Sequence, residues 1–401
     1  MDSGGKKDKD VKKKKLKKVR DFVLGDVLGE GAYGQVREGL RVKEGDPKFG
    51  QRVAVKIISK RLLRKARNGQ QNLKREVNCL KKLKHQNIIQ LYDVIDGEEF
   101  EKVYLVFELA NYGSVQDLLE MMQIHMKAKG VEVVGSGLKE QHIQNLFYQL
   151  VQGLMACHAK GVVHRDIKPS NLQITSDGIL KIIDFGVAET LDHFNEIDDT
   201  EKFAGTPAFQ PPEVAGGCRT FSATKVDIWA AGVTLYVMGT NKTPFLGDKI
   251  DELYSNISQG EYEMPEHFGD NLKDLVSGLM KPNPEERISL EAVSEHPWLQ
   301  GDEVKQRPKL QTLPARDKSK TLLTRYMEEN SSDEEPSDSA ESAHDEEDDN
   351  EVERQRLENL ELLSGKRITG TRKFNQKYKE ARFQRMQSDV DNPKNEQCAI
   401  S

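Results

Sequence analysis

The sequence predicts an α+β chain of two lobes, a small strand-rich lobe followed by a larger helical one. Three observations carry this. Short β-branched runs cluster early, among them Val53-Ala-Val-Lys-Ile-Ile58 and Val103-Tyr-Leu-Val-Phe107. After about residue 115 apolar residues recur at helical spacing, as in Leu146, Phe147, Leu150 and Leu154. Strands first and helices later point to segregated layers rather than alternating βα units. Charge marks the limits of this core. The 401 residues sum to a formal charge of −6, but residues 6–20 hold ten Lys/Arg against two Asp. Residues 328–353 hold fourteen acids and no Lys or Arg, and residues 354–397 return to eleven bases against six acids.

In order along the chain, residues 1–21 form a basic tail expected to be disordered, because nothing in it can be buried to offset chain entropy. The strand-rich lobe spans about 22–110. Within it Leu73, Val77, Leu80 and Leu83 recur at helical spacing, predicting a helix over 71–84. The helical lobe spans about 111–298, and its uncharged stretch 228–240 suits a helix buried on all sides. Residues 299–353 read as a Pro-containing, acidic linker. The basic tail 354–401 follows, with short helices expected at 351–363 and 373–386.

Several classes fall away. The most apolar uncharged run, Ile228 to Asn241, is too short to span about 30 Å of hydrocarbon. The lysine-rich start has no apolar core of a secretory signal, and Met1-Asp2-Ser3 lacks the glycine that N-myristoylation requires. Cys79, Cys157, Cys218 and Cys398 show no CxxC spacing, which argues against a disulfide framework or zinc site and for a reducing compartment. No internal repeat is visible.

Chemistry enters with Leu28, Gly29, Glu30, Gly31, Ala32, Tyr33, Gly34, Gln35 and Val36, which match G-x-G-x-x-G-x-V. Glycines permit a tight turn and let backbone N–H groups approach phosphate oxygens. Taken alone the segment could be a plain turn or a dinucleotide loop; the strand expected after Val36 favours a hairpin covering a nucleotide. Lys56 lies inside an apolar strand and needs a partner, for which Glu76 on the expected helix is suited. A solvated Lys and a solvated Glu remain the plainer reading of that pair.

The second half is decisive. His164-Arg-Asp-Ile-Lys-Pro-Ser-Asn171 is followed thirteen residues later by Asp184-Phe-Gly186. Phosphoryl transfer needs a carboxylate near the attacking hydroxyl and oxygen ligands for a cation on the phosphates. Asp166 can supply the first, Asn171 and Asp184 the second, and Lys168 can neutralise charge on the transferred group.

With these motifs in this order, residues 22–298 resemble a eukaryotic protein kinase domain, and the resemblance implies its two-lobed fold. It implies that Lys56 contacts phosphates and pairs with Glu76, that Asp166 is the catalytic base, and that Asn171 and Asp184 bind Mg²⁺, with Mn²⁺ as an alternative. Ala54, Glu108 and Ala110 join the glycine loop in the implied ATP site. Gly205 to Glu213 looks like the end of an activation segment, with Glu213 paired to Arg287. Lys168 and Thr206 are the serine/threonine choices. More narrowly, Arg64–Glu76, Gly186–Glu189, Thr206–Glu213 and Phe221–Trp229 are similar to the liver-kinase-B group. That resemblance implies protein substrates among AMP-activated-kinase relatives, and activation by a pseudokinase and a scaffold rather than by loop phosphorylation. Arg165 and Phe185 depart from some members of the group, which carry Lys and Leu, and an insertion around Gln123–Leu138 has no counterpart. A calmodulin-dependent-kinase kinase is the alternative enzyme, though Pro308 and Pro314 interrupt the helix it would need. A pseudokinase scaffold is the alternative outside the enzymes.

The chain ends Cys398-Ala-Ile-Ser401, a C-a-a-X box with the farnesyl-type last residue, so Cys398 is the expected prenylation site. One prenyl chain anchors only marginally, and the basic stretch Lys366–Arg385 could supply a second signal. A cytoplasmic chain with nuclear and prenyl-dependent membrane pools is expected. The N-terminal lysines could be a nuclear-localisation or acidic-lipid patch, with a solvated tail the commoner outcome, and no specific nucleic-acid binding is expected. Thr369 and Ser388 follow basic residues and Ser332 and Ser337 precede acids, so these, with Thr200, are the candidate phosphorylation sites.

Overall fold

The computed structural model describes residues 16–31, 34–66, 68–128, 135–136, 138–190, 197–199, 205–218, 220–301, 304 and 326. Of two compact units, Met1–Ser332 and Asp333–Ser401, all of these belong to the first. Its opening portion is a six-stranded antiparallel sheet built from β1 (Lys17–Val19), β2 (Phe22–Gly31), β3 (Gly34–Arg41), β4 (Arg52–Ser59), β5 (Leu91–Ile95) and β6 (Lys102–Glu108). The strand order is β1-β2-β3-β4-β6-β5. Between β4 and β5 run α1 (Lys60–Lys65) and α2 (Gly69–Lys82). The two-residue period of β4 decides what each face does. Val53, Val55 and Ile57 join Phe22, Leu24, Ile95, Tyr104 and Val106 in one cluster. Ala54 and Ile58 pack into the other cluster beside Cys79 and Leu80 of α2, and Lys56 therefore lies on the α2 side.

The second portion is mainly helical. It contains β7 (Gly113–Ser114), α3 (Val115–Ala128), α4 (Glu140–His158), β8 (Val162–Val163), β9 (Leu172–Ile174), β10 (Leu180–Ile182), β11 (Glu189–Thr190) and β12 (Ile197–Asp199). Then come α5 (Pro212–Ala215), β13 (Thr220–Ser222), α6 (Ala223–Thr240), α7 (Ile250–Gln259), α8 (Asp270–Leu279) and α9 (Leu290–Ser294). Small sheets pair β10-β9-β7, β11-β8 and β12-β13. The uncharged stretch becomes α6, buried nearly throughout, with Trp229 stacked on Phe245 at 5.8 Å between ring centroids. A helix apolar all round has no solvent face to offer and must sit at the centre of its lobe.

The two portions are joined by hydrogen bonds as well as by the link after β6. The Ile89 N–H donates to the Ile182 carbonyl (3.0 Å) and the Ile182 N–H to the Asn87 carbonyl (2.8 Å). Asn87 Nδ2 in turn reaches Gln149 Oε1 (2.9 Å) and the Leu180 carbonyl (3.0 Å), wholly buried. Lys181 Nζ meets Glu108 Oε1 at 2.7 Å. The segment after α2 is thus bonded to β10, the strand that leads into Asp184.

The sequence-based boundaries need three corrections. The tail expected to be disordered over 1–21 ends earlier, because Lys17–Val19 pairs with Phe22–Leu24 and buries Val19. The helix expected over 71–84 runs Gly69–Lys82, and the strand β5 over Leu91–Ile95, interrupted by Asp93, was not anticipated. The linker expected from 299 begins later. Trp298, Leu299 and Val304 are core residues, Asn145 Nδ2 bonds the Val304 carbonyl (2.7 Å), and Tyr326 packs against Val23, Leu40 and Val42. The start of the 123–138 insertion continues α3, and Ser136 N–H bonds the Gly239 carbonyl (2.9 Å). The helices expected at 351–363 and 373–386 lie outside the described residues.

The pair expected between Glu213 and Arg287 is bidentate, at 2.7 and 2.6 Å, with the guanidinium wholly buried over the Trp229 ring. Removing one partner of a buried pair leaves an uncompensated charge. Glu213→Ala should therefore cost about 3–5 kcal/mol, read as a lowered midpoint in urea unfolding with an unchanged m-value.

Candidate active site

Lys56 Nζ lies 2.6 Å from Glu76 Oε1 and 3.5 Å from Asp184 Oδ1. The sheet supplies the lysine and α2 the glutamate, so the short pair fixes how α2 lies on the sheet. Burial alone would lower the Lys56 pKa, but the charges of Glu76 and Asp184 outweigh it and raise the ammonium above the ordinary lysine value. The same ammonium, aided by His164 and the Gly186 N–H, holds the Asp184 carboxyl below the usual carboxylate range. Asp184 has φ of +61°, a left-handed backbone that a non-glycine residue adopts only where its surroundings hold it. Phe185, next in sequence, is fully buried, its ring edge-on to His164 at 4.8 Å.

The catalytic-loop segment hangs on one carboxylate. Asp227 at the start of α6 is fully buried and accepts the His164 N–H (2.8 Å) and the Arg165 N–H (2.7 Å). Its Oδ2 also lies 2.9 Å from His158 Nε2. Burial would raise its pKa, but the hydrogen bonds and the pull of His158 and His164 hold it below the ordinary value. A depressed folded-state pKa contributes stability above the unfolded value, lost only as pH falls through the folded one. Arg165 takes φ of +66°, a turn that these bonds maintain and that sets Asp166 into the cleft.

Both oxygens of Asp166 are engaged. Oδ1 accepts the Thr206 N–H (3.0 Å) and the Thr206 hydroxyl (2.7 Å). Oδ2 accepts Lys168 Nζ (2.7 Å) and Asn171 Nδ2 (2.9 Å). Lys168 Nζ also reaches Thr206 Oγ1 at 2.6 Å. A carboxylate, an ammonium and a hydroxyl are thereby held within hydrogen-bond distance of one another, a geometry suited to orienting a hydroxyl for proton transfer. Asn171 spends Nδ2 on the Asp166 carbonyl and carboxylate, leaving its amide oxygen as the atom chemically suited to a cation.

The glycine segment divides by role. A Cβ on Gly34 would lie 1.6 Å from the Ile57 carbonyl oxygen, so Gly34 lets β3 lie against β4. A Cβ on Gly29 would meet nothing, and one on Gly31 only the Gly34 carbonyl at 3.9 Å. Among the described residues no neighbour explains those two glycines, whereas a closely approaching phosphate chain would. Ala32 and Tyr33 at the tip lie outside the described residues; Leu28, Glu30, Gln35 and Val36 form the paired walls, with Gly29 opposite Val36 and Glu30 opposite Gln35. Ala54 lies on the cleft face of β4, Glu108 ends β6 with its carboxylate on Lys181, and Ala110 lies in the link between the lobes. Among the described residues no group of three or more His, Cys, Asp or Glu could hold a metal alone. Asp184 and Asn171 thus fit a divalent cation that completes its shell with phosphate oxygens and water, the habit of Mg²⁺.

Comparison with known families matches residues 22–299 to the protein kinase domain. The chain belongs to the protein kinase family. Serine/threonine-protein kinase stk11 of Xenopus laevis is 44% identical over 287 residues, 72% of this chain and 62% of that protein. STK11 of Homo sapiens is 42% identical over the same length and with the same shares. Par-4 of Caenorhabditis elegans is 37% identical over 291 residues, 72% of this chain and 44% of that protein. The match covers less than two thirds of these relatives' own length. Within the kinase family, then, the chain is of the liver-kinase-B type that its motifs resemble.

Asp227 and Glu189 take larger parts in this kinase site than their motifs suggested. Asp227 had a signal: a lone acid within an apolar helix must be paired. Glu189, which receives Arg165 Nη1 at 2.7 Å across 24 residues of chain, closes the Gly186–Glu189 stretch of the resemblance, but nothing in that stretch announced this contact. Thr200, Thr369, Ser388, Ser332, Ser337 and Cys398 lie outside the described residues. The glycine assignments make a paired prediction. Gly34→Ala should lower the melting temperature of the nucleotide-free protein by the equivalent of about 1–3 kcal/mol of overpacking. Gly29→Ala should leave that melt unchanged and raise KM for ATP, as thermal melts and steady-state kinetics would show.

Proposed function

We propose that the chain is a serine/threonine protein kinase of the STK11 type, transferring phosphate from ATP to hydroxyls of protein substrates. The observation that carries this is the Asp166 carboxylate, held by Lys168, Asn171 and Thr206, in the same cleft as the Lys56–Glu76–Asp184 cluster. ATP supplies the γ-phosphoryl group and Mg²⁺ offsets the charge of its phosphates. The residues of the chain do the rest. Glu76 holds the Lys56 ammonium toward the phosphate positions, and the glycine hairpin leaves its backbone open above them. Asp184, its carboxyl kept below the usual range by Lys56, and Asn171 would hold the cation. Asp166 orients the attacking hydroxyl and receives its proton, while Lys168 neutralises charge on the transferred group. The preorganisation is electrostatic and positional, which is what a loose phosphoryl-transfer transition state calls for.

Likeness to STK11 and to the liver-kinase-B motifs supports a finer reading. Substrates are activation-loop threonines of AMP-activated-kinase relatives, and a pseudokinase with a scaffold protein activates the enzyme. Cys398 carries a prenyl group that, with the basic tail, gives a membrane-attached pool beside cytoplasmic and nuclear ones. Co-purification of a pseudokinase and a scaffold with the chain from its native cell would support the activator reading, and their absence would count against it.

Asp166→Ala and Asp184→Ala should each lower phosphate transfer to a threonine peptide by at least about a thousandfold with folding intact. Turnover near wild type in either refutes the assignment. Independently, Cys398→Ser should remove a prenyl-sized mass increment and shrink the membrane fraction of protein made in eukaryotic cells; equal fractions would exclude the anchor.

A further inference from the structure

Among the described residues the exposed large apolar side chains are Val27, Phe49, Ile124, Leu246 and Ile250. Single exposed apolar residues are ordinary on a protein surface. Leu246 and Ile250 differ in standing four residues apart, at the N-terminal end of α7. Leu246 is the most exposed of the five, at 69%, and Ile250, the first residue of the helix, is 47% exposed. Charged residues surround the pair in sequence: Asp248, Lys249, Asp251 and Glu252 are all exposed, three acids to one base. An apolar patch with a polar rim is the usual mark of an interaction site.

The segment that carries Leu246 is held firmly. Asn256 Nδ2 donates to the Leu246 carbonyl (2.7 Å), and the Asp248 N–H to Glu252 Oε2 (2.9 Å). A Cβ on Gly247 would lie 2.4 Å from the Leu253 nitrogen, so the backbone there rests directly on α7. The other side of the helix packs Leu253, Tyr254 and Ile257 into the core. A side chain presented on so fixed a support has little freedom left to lose when a partner covers it. Its position matters equally. Helix α7 lies against α5 and against the turn Pro207–Phe209, which follows Thr206. Thr206 in turn holds Asp166 through its N–H and its hydroxyl. The patch is therefore continuous with the surface on which an acceptor hydroxyl meets Asp166.

We propose that Leu246 and Ile250 form a docking site for the folded body of a protein substrate, one whose surface offers an apolar hollow with a basic rim. This rests on the kinase reading above. An acceptor threonine delivered to Asp166 brings the protein that carries it over the Pro207–Phe209 turn and α7. The patch touches no reacting atom and holds the substrate while its hydroxyl is phosphorylated. Its contribution falls on KM for intact proteins, and a short acceptor peptide does not reach it.

The test uses the full chain with its activators and two substrates. One is the intact catalytic domain of an AMP-activated-kinase relative, the other the free peptide bearing its activation-loop threonine. Wild type should show a KM for the domain about tenfold or more below that for the peptide. Leu246→Asp and Ile250→Asp should each raise KM for the domain about tenfold, with kcat and peptide KM within about twofold of wild type. Leu246→Met, which keeps the apolar bulk, should stay within about twofold on the domain. Asp251→Lys should raise KM for the domain about threefold at low salt, an effect that fades at high salt. The proposal is overturned if wild type does not prefer the domain, if Leu246→Asp leaves its KM unchanged, or if Leu246→Asp impairs the peptide equally. It is overturned too if Asp251→Lys matches wild type at low salt. A patch that joins two copies of the chain would also overturn it, seen in sedimentation as a dimer that Leu246→Asp splits without changing KM for the domain. A wild type inactive on both substrates would sink the kinase reading, and this inference with it.

Discussion

The interaction on which the site depends is the buried carboxylate of Asp227. An ionised group with no solvent exposure survives in a protein interior only if its hydrogen-bonding capacity is filled, and here two backbone N–H groups and an imidazole fill it. In return it pins two consecutive amides, His164 and Arg165, which bends the backbone into the left-handed turn at Arg165. Everything beyond that turn inherits its position: Asp166 directly, Lys168 and Thr206 through Asp166, Asn171 through the Asp166 carbonyl. Because Asp227 lies in the second turn of α6, the most buried helix of the lobe, this register is referred to the rigid core rather than to a surface loop.

The other half of the site is held differently. Lys56 and Glu76 come from elements whose relative position no backbone ladder fixes, so the 2.6 Å contact between them reports where α2 lies. Asp184 closes the arrangement from the helical lobe, brought there by β10, which is itself bonded to the segment following α2. Phe185 buried against His164 then couples the strained turn at Asp184 to the loop that Asp227 anchors. The two catalytic clusters share this aromatic contact and the strand between them. A shift of α2 away from the sheet would take Glu76 from the Lys56 ammonium, whose charge holds the Asp184 carboxyl below the ordinary range.

Much of this was legible in the sequence, for a definite reason. Lys56, Glu76, Asp166, Asn171 and Asp184 each lie in a short motif whose chemistry requires that residue at that spacing, and the structure brings them into one cleft. The uncharged run in 228–240 likewise foretold a helix buried on all sides. What could not be read depends on long loops. Thr206 meets Asp166 across forty residues, and Glu189 meets Arg165 across a turn whose handedness no local pattern announces. Strand β1 was hidden by composition, since lysines at 17 and 18 look solvated, and they are; Val19 and the backbone ladder to β2 hold the strand. Gly34 was legible as part of a glycine motif but not in its role, because only the third dimension shows the Ile57 carbonyl beside it.

Two arginine–glutamate pairs bracket the segment between the turn at Asp184 and α5, and they differ in kind. Arg287 and Glu213 meet through both forks, the guanidinium at 0% and the carboxylate at 9% exposure, with an indole beneath. Such a pair cannot open without leaving a charge stranded in the core, so it secures the far end of the segment whether or not substrate is present. Arg165 and Glu189 meet at the near end, where the carboxylate is 26% exposed and lines an open groove. Water can reach that carboxylate when the contact breaks, which lowers the cost of breaking it. Of the two clamps only the near one can therefore respond to its surroundings. It is also the one bonded to the residue before Asp166, so any control exerted through this segment on the catalytic carboxylate has its shortest physical route there.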